Sequence, residues 1–182
     1  MAAGTARRDL ELLVVDGYNV IYKTPRYTSL MDESDSHDPF ARARELLIAD
    51  VAAYAQGRFK ATIVFDAAGN VSPERPNLTR AGVKCIFSET GESADTVIER
   101  LVSDARRAER DVTVVTSDNT IRATVGGIPV TRISSDALIS DVEEIDVDIE
   151  AARSEETHQR LTLEDRLDPE TRAKLDRLLG RS

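Results

Sequence analysis

Cysteine occurs once in the 182 residues and histidine twice. The single Cys85 excludes an internal disulfide and a cysteine-rich zinc site, and His37 and His158, far apart in sequence, make a poor metal pair. No apolar run approaches the roughly 20 residues that cross a bilayer, and the N-terminal MAAGTARRDLE has no apolar stretch like that of a secretory signal. A cytoplasmic protein with no membrane contact is therefore expected. There is no G-x-x-x-x-G-K-[ST] loop and no G-x-G-x-x-G after a strand, which argues against a nucleotide cradle of either type. An aspartyl-nucleophile phosphatase wants a second aspartate two residues after the first, and Tyr18 stands there. Ser117 follows a strand, but no suitably placed histidine completes a Ser-His hydrolase.

Basic residues are also too few to coat a surface: 24 Lys and Arg face 33 Asp and Glu, a net charge of -9. The deficit is local. Residues 1 to 135 carry 19 acids and 17 bases, residues 136 to 150 carry seven acids and no base, and residues 151 to 182 carry seven of each. The acidic block DALISDVEEIDVDIE reads as a solvated helix face or linker, with a docking strip for a basic partner as the alternative. Outside it the chain is close to neutral, so nucleic acid is not excluded as a partner.

What is present is a globular composition, 41% apolar and 31% charged, sized for one domain with an appendage. LLVV at 12 to 15, ATIVF at 61 to 65, VKCIF at 83 to 87 and VTVVT at 112 to 116 read as strands buried on both faces, and IPVTRI at 128 to 133 as a shorter fifth. Between them, Asp38-Pro39 predicts a helix start followed by Phe40, Ala43, Leu47, Val51 and Tyr54 at helical spacing up to Gly57. Ser93 predicts a second start, with Ala94, Val97, Ile98, Leu101, Val102 and Ala105 as its apolar stripe. A third, shorter helix is expected from Asn119 to Val125, stopped by Gly126-Gly127, and a last one from Asp168-Pro169 with Leu175, Leu178 and Leu179. Strands alternating with helices imply an α/β fold with a central parallel sheet covered on both sides. Segments 22 to 37 and 67 to 82 read as long loops after strand ends, the edge where such sheets place ligands.

Three strands end on an acid: Asp16 in VVDGYN, Asp66 in IVFDAAG and Asp118 in VVTSDN. In a parallel sheet the three converge on one edge, and Asp95 joins them from the first turn of the helix opened by Ser93. Singly, each has a structural explanation: a turn at Asp16-Gly17, a loop acid at Asp66, a dipole-favoured surface acid at Asp95 and an N-cap at Asp118. Jointly, carboxylates brought close need a cation, and hard oxygen donors select Mg²⁺ or Mn²⁺. One or two such ions can activate a water and stabilise the leaving oxygen of a phosphodiester. In the two long segments Tyr22, Lys23, Arg26, Tyr27, Arg75 and Arg80 are the groups a single-stranded RNA site would use, though surface loops often carry them for no such reason. Tyr18 reads as packing beside the site.

The strings LLVVDGYNVI, IVFDA, VKCIFSETGESADTVIERL and VVTSDN, in that order and spacing over roughly residues 10 to 150, resemble the YacP-like branch of the NYN domains, bacterial members of the PIN-like nuclease superfamily. The resemblance implies a PIN-like α/β/α sandwich at 10 to 150 and divalent-metal-dependent endoribonuclease activity, and residues 151 to 182 read as a C-terminal helical extension. It maps Asp16, Asp66, Asp95 and Asp118 onto the acidic metal centre and Asn19 onto the asparagine that positions a ligand, water or phosphate. Ser117 is a further candidate for substrate contact, and Glu99, one turn beyond Asp95, for the site. Through a family member that cuts mRNA in the ribosomal A site, it also implies mRNA and the ribosome as partners. The acidic block is unlike a basic ribosome-binding tail. A non-catalytic RNA- or ribosome-binding module, and a metal-dependent phosphatase or DNA nuclease, are the competing readings.

Overall fold

Runs of Val, Ile and Leu without charge are stable as strands only where both faces are covered. They lie in such places in the computed structural model, which describes residues 10–32, 38–66, 78–117, 124–125, 128–166, 174 and 177–178. Strand β1 (Glu11–Asp16) carries Leu13, Val14 and Val15, all fully buried. Strands β2 (Phe59–Phe65), β4 (Val83–Phe87) and β5 (Val112–Val115) match the other apolar runs. They assemble with β3 (Leu78–Arg80) and β8 (Thr131–Ile133) in the order β3-β4-β2-β1-β5-β8, and only β3 runs antiparallel.

Alternation along the strands sends successive side chains to opposite faces. Leu13, Val15, Ile63, Phe65, Val83 and Cys85 pack with helices α1 (Gly17–Lys23), α2 (Pro25–Asp32) and α3 (Ala41–Ala55), and with the first turns of α5 (Ser135–Arg166). Leu12, Val14, Val64, Ile86, Val112 and Val114 pack under α4 (Ala94–Arg107). The result is the expected α/β/α sandwich. Helix α4 forms as its sequence predicts: the Ser93 hydroxyl accepts the Thr96 N–H at 3.2 Å, and Val97, Ile98, Val102 and Ala105 are buried.

Of the first long segment, residues 22–23 and 25–32 are helical, and residues 33–37 lie outside the described set. Asp16 caps α1 by accepting the Asn19 N–H at 3.3 Å. Thr24 then turns extended, as a residue before proline must, and Pro25 opens α2, where its missing N–H costs nothing. Residue 17 must be glycine, because a Cβ there would sit 2.4 Å from the Phe65 ring, which is fully buried. Of the second long segment, residues 78–80 form β3 and residues 67–77 lie outside the described set.

Two further expectations change. Helix α3 begins at Ala41, two residues after the expected start. Asp38 instead closes a turn by accepting the Phe40 N–H at 3.1 Å, while Arg44 binds its other oxygen. The helix expected from Asn119 to Val125 is absent at its end: Thr124–Val125 is a strand, β6, paired antiparallel with β7 (Ile128–Pro129). The Gly-Gly between them suits a two-residue hairpin as well as a helix stop. Residues 119–123 lie outside the described set.

The chain divides into two compact units, Met1–Val142 and Glu143–Ser182. The whole acidic block lies in α5. Leu138, Ile139 and Val142 are buried, whereas from residue 143 to residue 155 only Ile145 is even half-buried. The block's charge is therefore solvated.

Candidate active site

The chain leaves β1 on one side for β2 and β4, and returns to its other side for β5. Such a reversal opens a crevice at the carboxyl ends of the strands. Asp16 ends β1 on the α4 face of the sheet, by parity with Leu12 and Val14. Asp66 follows β2, two residues beyond the Val64 that pairs with Asp16. One Asp66 oxygen accepts the Ala94 N–H at 3.2 Å, at the start of α4, where the exposed amides and the helix dipole favour a carboxylate. Asp95, the next residue, is exposed in the same first turn, and Glu99 is exposed one turn further on.

Asn19 bridges the switch point. Its side-chain oxygen accepts the Ser117 N–H at 2.9 Å and also the Ser117 hydroxyl, binding α1 to the end of β5. Both residues are half-buried. Ser117 thus reaches Asn19 through two donors, and Asp118 is the next residue in the chain. Asp118 and Arg75 lie outside the described residues. Removing the acceptor strands two donors in a half-buried place, so Asn19→Ala is expected to lower stability by about 1–3 kcal/mol. Asn19→Asp, which keeps an oxygen there, should recover most of that loss in a denaturant titration.

The remaining substrate candidates scatter. Lys23 is exposed at the end of α1, and Arg80 is exposed on β3, 3.3 Å from Glu45. Tyr22 is 57% exposed. Arg26 and Tyr27 correct the sequence reading: the Arg26 guanidinium grips buried Asp50 in α3 through two bonds of 2.9 and 3.0 Å, and the Tyr27 hydroxyl donates to the same carboxylate at 2.8 Å. Tyr27 is fully buried, so it offers no stacking face. The sequence reading passed over Asp50. Its signal is an acid on the apolar stripe of α3, among Leu47, Val51 and Tyr54, where a buried charge demands partners. Tyr18 packs edge-on against Phe65 and Phe40, each 5.2 Å away between ring centres, and its hydroxyl accepts from Arg44 at 3.0 Å.

The donor chemistry at this edge is carboxylate and amide oxygen, which suits a hard divalent cation. Burial pushes the Cys85 thiol up from its ordinary value, although Arg80 pulls the other way, so its thiolate, the form that binds soft metals, is disfavoured inside β4. Among the described residues no three acids, histidines or cysteines are grouped closely enough to hold an ion.

The α/β/α frame is matched by known proteins. The model of the YacP-like NYN domain family fits residues 13–180. The chain belongs to that family. It is 32% identical over 141 residues to the uncharacterised protein YacP of Bacillus subtilis strain 168, covering 78% of this chain and 80% of the relative. The crystal structure of Rae1 (YacP) from Bacillus subtilis superposes with a TM-score of 0.67 at 28% identity, over 94% of this chain and 95% of that one. A mutant of the same protein gives 0.65, over 93% and 99%. NYN domains are a nuclease family and use divalent metals in general. Membership in the YacP-like branch therefore points to an RNA nuclease.

Proposed function

We propose that this YacP-like NYN domain is a divalent-metal-dependent endoribonuclease that hydrolyses phosphodiester bonds within single-stranded RNA, with mRNA as its natural substrate. The carrying observation is that Asp16, Asp66 and the first turn of α4 with Asp95 stand at one sheet edge, beside the Asn19–Ser117 bridge. Asp16, Asp66, Asp95 and Asp118 would hold Mg²⁺ or Mn²⁺. When bound, such an ion neutralises the carboxylates and polarises the phosphodiester. The chain's own groups do the rest. Asn19, by holding Ser117, fixes the end of β5. The Ala94 N–H at the start of α4 and the Asp66 carboxylate brace each other, so the acid is held in place before substrate arrives, as efficient electrostatic catalysis requires.

Charge supports a substrate bound with help. Outside the four acids assigned to the site, residues 1 to 135 carry 15 acids and 17 bases, too even a balance for tight binding to free RNA. Ribosome-bound mRNA supplies such help and is the setting we favour. The test compares RNA and DNA of one sequence, with Mg²⁺, with Mn²⁺ and with chelator, for the native protein and for Asp16→Asn and Asp118→Asn. Internal cleavage of RNA alone, lost on chelation and in both variants, is expected. Cleavage that survives chelation and both substitutions removes the metal reading, and RNA binding without cleavage in either metal favours a non-catalytic module.

A further inference from the structure

A cavity of about 290 Å³ opens at the ends of β2 and β4, on the opposite face of the sheet from α4. Its floor is set by strand register: Phe65 pairs with Phe87 and Ile63 with Cys85, so the two phenylalanines end their strands side by side. Their rings stack at 5.2 Å between centres and 24° between planes, and the Ser88 N–H donates to the Phe65 carbonyl at 2.9 Å to tie the two strand ends. The facing wall is one helical stripe of α3, Ala41, Arg44, Glu45 and Ile48, at the spacing that shares a face. Arg44 is 3% exposed and committed to Tyr18 and Asp38, so that wall is braced. At the mouth Arg80 and Glu45 stand 3.3 Å apart, 58% and 63% exposed.

An apolar, aromatic-floored cavity with a few polar groups at its rim is the usual form of a small-ligand site. Here the rim offers one cationic donor and one anionic acceptor. Nucleobase edges carry both acceptors and donors, and arginine and carboxylate side chains read them. A phosphate is a poorer fit, because Glu45 would repel it. The exposed Arg80–Glu45 pair is weak in water, so exchanging it for contacts to a ligand costs little. Phe65, in the cavity floor, is the residue immediately before Asp66, so the cavity opens at the same strand end as the proposed site.

We propose that this cavity is a nucleobase subsite, which takes one unstacked base of single-stranded RNA against Phe87 while Arg80 and Glu45 read its edge. The inference rests on the RNA reading above and adds a determinant of sequence preference to it. It is tested by binding rather than by turnover. The full-length Asp16→Asn protein is titrated with fluorescent single-stranded RNAs of about ten nucleotides, a length within the range such grooves cover, with one base removed at each position in turn. One position is expected where base removal weakens binding at least about fivefold, the lower end of a base–aromatic stack. That sensitivity should disappear when Phe87→Leu is added, a change that keeps the core apolar and is checked by an unchanged melting curve. The exposed pair gives a second variant: Glu45→Ala with Arg80→Ala should flatten the preference among the four bases at that position. An unchanged abasic profile in Phe87→Leu, or no RNA binding at all, overturns the proposal, and equal binding of the matching DNA overturns its assignment to RNA. Native protein that shows the base-dependent profile but cleaves nothing would keep the subsite and remove the nuclease reading.

Discussion

Asp66→Asn is expected to lower RNA cleavage by at least about 100-fold while leaving the melting temperature nearly unchanged. The substitution keeps an oxygen that can accept the Ala94 N–H, now made at 3.2 Å, so the junction of β2 with α4 survives. What it loses is the negative charge. If that charge helps hold a divalent ion, its removal costs several kcal/mol of transition-state stabilisation, and each 1.36 kcal/mol is tenfold in rate. Asp66→Ala is the informative contrast: it removes the charge and the cap together, and adds a stability loss of about 1 kcal/mol, as for other lost helix caps. Single-turnover cleavage and thermal melts on the same preparations separate the two effects. Asp66→Asn with near-native cleavage would mean that this carboxylate serves the helix and not the chemistry.

The largest stability effect is expected at a residue that takes no part in the chemistry. Asp50→Ala should destabilise the protein by about 3 kcal/mol, lowering its melting temperature by roughly 10 °C. Asp50 is 5% exposed and receives both Arg26 bonds and the Tyr27 hydroxyl. Its loss takes from the buried Tyr27 hydroxyl the acceptor, and from the Arg26 guanidinium the carboxylate, that they now use. The guanidinium's side chain is 26% exposed, so water recovers part of that charge and holds the estimate below the upper range for buried pairs. Because the network staples α2 to α3, hydrogen exchange in residues 25 to 32 should accelerate more than in β1 or β2. Asp50→Asn should fall between, since an amide oxygen can accept from Tyr27 but gives Arg26 no charge. A melting curve unmoved by Asp50→Ala would show that α2 is held by packing alone.

The sequence made the sheet legible because its strands are short, continuous, largely β-branched runs, which suit strands covered on both faces. Helix α4 was equally plain, with Ser93 as cap and one apolar stripe. The segment after β1 was misread for a local reason. Its Pro25 and polar residues look like loop chemistry, yet a proline at the first helical position is compatible with two short helices whose stability comes from packing on β2 and α3. The 119–125 expectation failed at its end because two glycines can stop a helix or join a hairpin, and local pattern does not choose between them.

Of the candidate site, residue type and strand position alone pointed to the edge: Asp16 and Asp66 each end or follow an apolar strand, and Asp95 sits one residue into a capped helix. Their partners were beyond reach. That Asn19 spends its oxygen on Ser117, 98 residues away, depends on where β5 inserts beside β1. Arg26 and Arg80 look alike in sequence, as basic residues in polar segments. Only tertiary structure decides that the first is consumed by Asp50 while the second stands at the mouth of a cavity.

The amino-acid sequence by itself determined the sandwich and the carboxylate edge, because hydrophobic periodicity and strand-end chemistry are local properties of the chain. Tertiary structure decided which side chains remain for a ligand. That outcome depends on long-range register, such as Phe65 beside Phe87, and on ion pairs between helices, and neither is encoded in any short stretch of sequence.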